Sequence, residues 1–494
     1  MMKLFNQGNG IFADATILTL VKVVTALLGL VSTRIISDGF SFHIYGTYSQ
    51  SMLLNTTISA ITILGLTDAV NLYFNRFKGN KYLQQKYLSN IFSLQLFIGF
   101  IASVVVIAGK QIWVDYFENI EIEPLMRWVA AMPMLSNLLA MQQVLFVSIG
   151  EVKIIAIRNL IVSIIRLVIF CIACYLTKNI ETILILQLSC DLGQVIYFQY
   201  ILKKRGIRIE ILIPQIKVIK KVLIFSIPIS AFVMTSMLLR DIDKYIVSYF
   251  TNSETLAVFS NASKILPLDM FVASLTTVLL PLLTKSIIDN NKTQLCQIYN
   301  LNFSVSILLG LLMVGAAIVS APSLMAILYG EKYLIGLDIF IVYLLVSFVR
   351  FVNLALLFNV AGKSLIILAI SLAALLVNVI LSICFFYCFG IVGCAIATLL
   401  ISIVVNALMM YKADVILGTS AYKIIEWRKV GSAFAYSLLI GFVCWCLCHF
   451  LENNHVSHFI TLIISSTIYV VTLSFFVRKK LLSDIRLLNK FKIK

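Results

Sequence analysis

Charge is what this 494-residue chain has least of: 12% of its residues are Asp, Glu, Lys or Arg and 61% are hydrophobic. Its mean hydropathy is +1.01. Soluble domains are about a quarter charged, so the soluble classes drop out and a polytopic membrane protein remains. Acid is scarcer than base, with 22 Asp and Glu against 39 Lys and Arg and a formal net charge of +17. Without a soluble domain to carry the bases, nucleic acid is not expected as a partner. They gather instead in loops on one side of a membrane, as the positive-inside rule requires. No GxxxxGK[ST] loop occurs, so the chain does not consume ATP itself. No outer loop is long enough to hold a catalytic domain with paired carboxylates, so the chain reads as a non-enzyme. Among the ten cysteines, Cys171 and Cys174 form CIAC, and Cys444, Cys446 and Cys448 form CWCLC. They lie in apolar runs without the convergent His or acidic partners that a metal centre needs, and no metal is expected. The N-terminal MMKLFNQGNGIFADA lacks a cleavage site after a short apolar run, so the first apolar run is expected to stay as a helix.

What is present is best seen in the stretch 221–250, KVLIFSIPISAFVMTSMLLRDIDKYIVSYF. It begins as an apolar helix long enough to cross a bilayer and ends on Arg240, Asp241, Asp243 and Lys244. Charges at membrane depth face a bundle interior or a watery cavity. The stretch therefore has one side on protein or water, and the chain around it reads as a transport machine.

A spanning helix needs about 20 mostly apolar residues. Fourteen candidates meet that length, near 13–32, 48–66, 91–108, 128–149, 160–176, 183–202, 222–239, 256–283, 301–328, 339–360, 365–386, 391–410, 430–450 and 459–477. With the N-terminus cytoplasmic, the basic loops 76–86 and 203–221, the loop 412–429 and the tail from Arg478 to Lys494 all fall inside. Arg34, Lys110, Arg127, Lys178 and Lys332 fall outside, beside the acidic outer residues Asp115, Glu118, Glu121 and Glu123. This alternation predicts both termini inside.

A repeat is also legible. VSTRIISDGFSFHIYGTYSQS in the first two helices parallels LLRDIDKYIVSYFTNSETLAVFSNAS in the seventh and eighth. In both, Arg near a helix end precedes a short polar link and an aromatic-rich helix start, a sign of two related halves. The expectation is an all-α protein of two pseudo-symmetric six-helix lobes, 1–202 and 222–412. A basic cytoplasmic linker, 203–221, joins them, and two extra helices with a basic tail occupy 413–494.

An ordered set of short stretches runs along most of the chain. Arg34 is followed by Tyr45-Gly46 and Gly65-Leu66; Phe225-Ser226-Ile227-Pro228 is followed by Asp243-Lys244. Tyr329-Gly330-Glu331-Lys332-Tyr333 comes next, then Ala361-Gly362-Lys363, Asn378 and the run from Phe389 to Thr398. In this the chain resembles the polysaccharide exporters, the O-antigen and capsule flippases of the multidrug/oligosaccharidyl-lipid/polysaccharide superfamily. It departs from them at Cys394, where Ala is usual, and at Val258-Phe259-Ser260, where Tyr more often precedes the small residue. The resemblance implies a flippase in the bacterial inner membrane that moves undecaprenyl-pyrophosphate-linked oligosaccharide by alternating access. It also implies membrane lipids, a polysaccharide polymerase and a chain-length regulator as partners. A lipid II-type flippase, a drug antiporter of the same superfamily and a membrane polysaccharide polymerase are the alternatives. The short outer loops argue against the last, and the fourteen-span count against the antiporter.

A pyrophosphate cargo needs cations at membrane depth. The candidate binding residues are Lys22, in the middle of the first helix, and Lys264, one third into the eighth, with Arg34, Arg240, Lys244 and Arg350. Arg166 is a weaker candidate. Two readings stand for Arg240 and Lys244: cavity lining, or a network with Asp241 and Asp243. With no ATP or other cofactor, transport would draw on a proton or sodium gradient through Asp68, Asp191 or Asp243, each of which has structural pairing as its other reading. Asp269, one turn past Lys264, is read as its neutralising partner. Pro228, Pro267 and Pro281 are expected to break the seventh and eighth helices.

Overall fold

The computed structural model describes residues 2–211, 213–264, 266 and 269–492, without side chains for 2–20, 269–275, 277, 278, 479, 481–483 and 485–492. Pro267 and the side chains of Asp269, Lys479, Arg486, Lys490, Lys492 and Lys494 lie outside the described residues. Among the described residues every regular element is helical. The chain divides into two compact units, Met1–Ala257 and Val258–Lys494.

The first unit holds α1 (Met2–Gly39), α2 (Phe42–Thr62), α3 (Leu66–Arg76), α4 (Lys81–Ala108), α5 (Lys110–Phe117), α6 (Met126–Val129), α7 (Met132–Ser148), α8 (Val152–Cys171), α9 (Ile180–Lys204) and α10 (Ile216–Phe250). Polar side chains cap two of its long helices: Ser41 Oγ accepts from the Ile44 amide at 3.3 Å, and Asn80 Oδ1 from that of Leu83 at 3.1 Å. These satisfy amides that the first helical turn leaves open. At Gly65 a positive φ of 66° lets α2 bend by 40° into α3, a conformation that glycine adopts without steric cost. The span Met126–Ser148 is 67% buried, so this helix is central, with α2, α3, α4, α8 and α9 packed around it. α1 packs on α8, and α10 on α2, α3 and α4.

Helix α11 (Ser253–Ala262) carries the boundary between the units. The second unit continues with α12 (Asp269–Ile288), α13 (Lys292–Val319), α14 (Ala321–Tyr329), α15 (Leu337–Arg350), α16 (Ala355–Val360), α17 (Ser364–Phe389), α18 (Ile391–Leu417), α19 (Ala421–Ile424), α20 (Trp427–Asn453) and α21 (His458–Lys492). α13, 72% buried in its apolar window, is its centre, and both α20 and α21 pack on it. The run from Phe389 to Thr398 closes α17 on α18. A Cβ on Gly393 would stand 2.1 Å from the Phe385 carbonyl oxygen, and Asn378 Nδ2 donates to Thr398 Oγ1 at 3.1 Å. In hydrocarbon such interhelical hydrogen bonds and small residues hold helices together. Cys394 is fully buried in this seam.

Among the described residues eleven helices are long and apolar enough to span a membrane, or up to twelve if α2 and α3 are one bent span. Three expected spans are interrupted. The stretch 256–283 is not one helix, because α11 ends at Ala262 and α12 starts at Asp269. Pro267, between them in sequence, has no amide proton and disfavours helix in the residue before it. The stretch 301–328 breaks at Ser320, with Pro322 in the first turn of α14, and 339–360 is interrupted between Arg350 and Ala355 but still lies within one candidate span, Glu331–Val360. Conversely, Pro228 and Pro281 lie inside the continuous helices α10 and α12 and break neither; spanning helices tolerate proline when neighbouring groups satisfy the freed carbonyl. By packing, the boundary between compact units falls after Ala257, and α10 counts with the first unit.

Candidate functional site

The first unit contains a cavity of about 380 Å³ walled by α1, α2, α7, α8 and α9. That is near the small end of the roughly 300–1,000 Å³ of ligand sites. Its lining is polar for the middle of an apolar bundle. Thr25, Gly29 and Ser32 come from α1; Tyr48 and Asn55 from α2; Ser136 from α7; Ser163 and Arg166 from α8; Gln187 and Asp191 from α9. Helical spacing explains the convergence. Residues 25, 29 and 32 share one face of α1, and 187, 191 and 194 one face of α9, being three or four apart. On α8, residues 158 and 166 are eight apart and so also share a face.

Across that interface Arg158 Nε donates to Gln194 Oε1 at 2.6 Å, and Gln194 Nε2 donates to Asp191 Oδ1 at 3.0 Å. Arg158 is thereby tied down. Among the described residues the Arg166 guanidinium makes no hydrogen bond or ion pair, although its charge acts on Asp191 and Tyr48. Arg166 is solvent-accessible and opens onto the cavity. An arginine in mid-span that is accessible but unpaired is costly in lipid and is tolerated where it meets water or an anion. Tyr48 bonds Gln187 and stands edge-on to Phe170, ring centres 6.5 Å apart, closing one end of the cavity. The arrangement offers five planar donors on Arg166 beside hydroxyl and amide groups that both donate and accept.

Of the residues read from sequence, Asp191 lines this cavity. Lys22 is exposed one turn before Thr25 on the same face of α1, and its carbonyl accepts from Thr25 Oγ1 at 2.9 Å. The others lie elsewhere. Arg34 pairs with Asp38 at 2.8 Å, four residues on. Lys244 pairs with Asp241 at 2.7 Å, while Arg240 is exposed and Asp243 buried. Asp68 is exposed in the first turn of α3, and Arg350 ends α15 in the second unit. Lys264 is not inside a helix at all: it is an exposed residue in the break after α11. Arg158 escaped the sequence reading; the signal that finds it is its eight-residue spacing from Arg166.

The second unit has a cavity of about 330 Å³ with the opposite character. Leu311, Val314, Phe348, Phe434, Phe442 and Trp445 line it. Its one aromatic hydroxyl, on Tyr469, is bonded to the Leu311 carbonyl at 3.0 Å and to Ser437 at 2.6 Å.

These features define a multi-pass helical membrane protein. The family model for polysaccharide biosynthesis proteins matches residues 33–338, and the chain belongs to that family. Among solved structures it is similar to "Lipid II flippase MurJ, inward closed conformation", at 17% identity and TM-score 0.75, over 94% of this chain and 99% of that one. It is also similar to an inward-facing multidrug resistance MATE family transporter of the MOP superfamily, at 14% identity and TM-score 0.67, over 82% and 99% of the two chains. A MOP superfamily transporter from Pyrococcus furiosus aligns at 14% identity and TM-score 0.56, over 82% and 95%. At these identities the likeness is one of fold. No curated protein matches the sequence.

Proposed function

We propose that this protein is a flippase for a lipid-linked oligosaccharide, carrying undecaprenyl-pyrophosphate-linked repeat units of O-antigen or capsule across the bacterial inner membrane. The observation that carries the reading is Arg166, a cation without a hydrogen bond or ion pair among the described residues, in a polar cavity at the middle of apolar helices. A diphosphate crossing hydrocarbon needs such a partner. The family's description, polysaccharide biosynthesis, supports a saccharide cargo.

In this reading Arg166 contacts the cargo's anion, Lys22 adds a second cation on the face of α1 that carries Thr25, and Asp191 carries the coupling proton or sodium ion. The fourteen-span plan with both termini inside is obtained if α1 and α12, 38 and 20 residues long, cross in addition to the twelve. The two repeat-related lobes then alternate access, with a polymerase and a chain-length regulator acting on the delivered unit. A deletion strain tests the function: lipid-linked repeat units should accumulate on the cytoplasmic leaflet. Normal delivery to the outer leaflet would refute it.

A further inference from the structure

The segment between α9 and α10 is built as more than a tether. Polar contacts fix it to the rest of the first unit. Arg205 pairs with Glu151 at 2.5 Å, and Gln199 Nε2 donates to the Ile209 carbonyl at 2.9 Å. The Glu210 amide donates to Ser89 Oγ at 3.0 Å, and the Gln215 amide to Asn90 Oδ1 at 2.6 Å. Ile207 and Ile209 pack against the buried core of the unit. The next isoleucines turn away from it: Ile211 is 81% exposed, Ile213 94% and Ile216 82%. Around them Arg208, Lys217 and Lys220 are exposed as well.

Three facts restrict where such a surface can rest. Its backbone between Ile207 and Gln215 is irregular where described, and irregular backbone facing lipid is excluded from the hydrocarbon core. Its bases exclude that core too. Three nearly fully exposed isoleucines disfavour bulk water. The headgroup–acyl boundary satisfies all three, since it takes apolar side chains a short way in and leaves bases at the phosphates. The segment is held at that level because the spans Ile180–Lys204 and Ile216–Phe250 end on either side of it.

We propose that residues 205–220 form an interfacial anchor that binds anionic lipid headgroups, with Ile211, Ile213 and Ile216 inserted and Arg208, Lys217 and Lys220 on the phosphates. Basic residues near an anionic leaflet each strengthen binding about fivefold. The proposal is independent of what the protein carries.

The test uses the full chain with Ile213→Trp, reconstituted in vesicles of phosphatidylcholine alone or with phosphatidylglycerol. Emission added over the four native tryptophans is followed with lipids brominated near the top of the acyl chain and with aqueous iodide. The expected result is quenching by the brominated lipid, stronger with phosphatidylglycerol, and protection from iodide. Arg208→Gln with Lys217→Gln should remove the phosphatidylglycerol preference while leaving the wild-type fold. Quenching by iodide alone overturns the proposal. So does equal bromolipid quenching in both lipids, which removes the anionic selectivity, or protection that arises only when cytoplasmic proteins are added. Ile211→Trp supplies the same readout if the first variant does not fold.

Discussion

The two cavities of this molecule treat polar atoms in opposite ways. In the first unit, α8 and α9 place Arg158, Arg166, Gln187, Asp191 and Gln194 on facing stripes, and among the described residues Arg166 has no bonded partner. In the second, α13 and α20 present Leu311, Val314, Phe434 and Phe442, and the Tyr469 hydroxyl already holds both of its partners. An anion moved into the second cavity would lose its hydration and meet no charged partner among the lining residues, a cost of several kcal/mol or more. The first cavity offers a guanidinium and a set of hydroxyls instead. The proposed recognition of charge is therefore assigned to the first unit, while the Tyr469 and Ser437 hydroxyls of the second are spent on bonds between helices.

The largest effect should come from breaking that asymmetry. Arg166→Ala should lower transport of the lipid-linked repeat unit by about 10- to 100-fold, the equivalent of one charged hydrogen-bonding partner at ~1.5–3 kcal/mol. It should lower thermal stability only modestly, because the side chain makes no hydrogen bond or ion pair among the described residues and acts on Asp191 and Tyr48 only through its charge. Arg166→Lys should restore part of the activity, since it keeps the charge and loses the planar fork.

The next effect is structural. A Cβ on Gly46 would lie 1.9 Å from the Ser253 carbonyl oxygen, where α2 meets the start of α11. Gly46→Ala should cost about 1–3 kcal/mol, read as a lower unfolding temperature of the purified protein. Tyr469→Phe in the second unit should cost less, about 1 kcal/mol, because it removes the hydroxyl's bonds without a clash. It should not change transport per folded molecule; a large transport defect there would overturn the division of roles.

The smallest effect is one of pH. Beyond the last span, Asp484 is buried and pairs with Lys429 at 2.5 Å, with its second carboxylate oxygen unbonded. Burial raises its pKa above the ordinary carboxyl value, and Lys429 offsets that only in part. The folded state thus holds this proton more tightly than the unfolded chain does. The contribution of Asp484 to stability should be greatest at acidic pH and decline as pH rises from the ordinary carboxyl value of about 3.9 through the raised folded value. Unfolding temperatures across that window, for wild type and Asp484→Asn, read the sign; the variant should lose the decline.

Composition and hydropathy carried the class of the protein, and the motif order carried its family. The run from Phe389 to Thr398, read first as a family signature, is physically a helix seam whose small residues admit close backbone approach. Hydropathy failed at the breaks. An apolar window averages over Ser320 and over the stretch before Pro267, so it joined helices that the backbone separates and placed Lys264 inside a span. It also reports the depth of a charge but not its direction. Arg34 and Lys244, which looked like cargo ligands, are bonded to acids on their own helices. Arg166 ranked low because its opposite wall lies on another helix, and only packing brings Asp191 and Gln187 beside it.

The central claim is that the cavity of the first unit contacts the cargo's anion through Arg166. The direct measurement is the equilibrium binding of an undecaprenyl-pyrophosphate-linked saccharide to the purified protein, wild type against Arg166→Ala, at two salt concentrations. The account predicts Kd about 10- to 100-fold weaker for the variant, with a smaller dependence on salt. Equal affinity and equal salt dependence in the two proteins would contradict it.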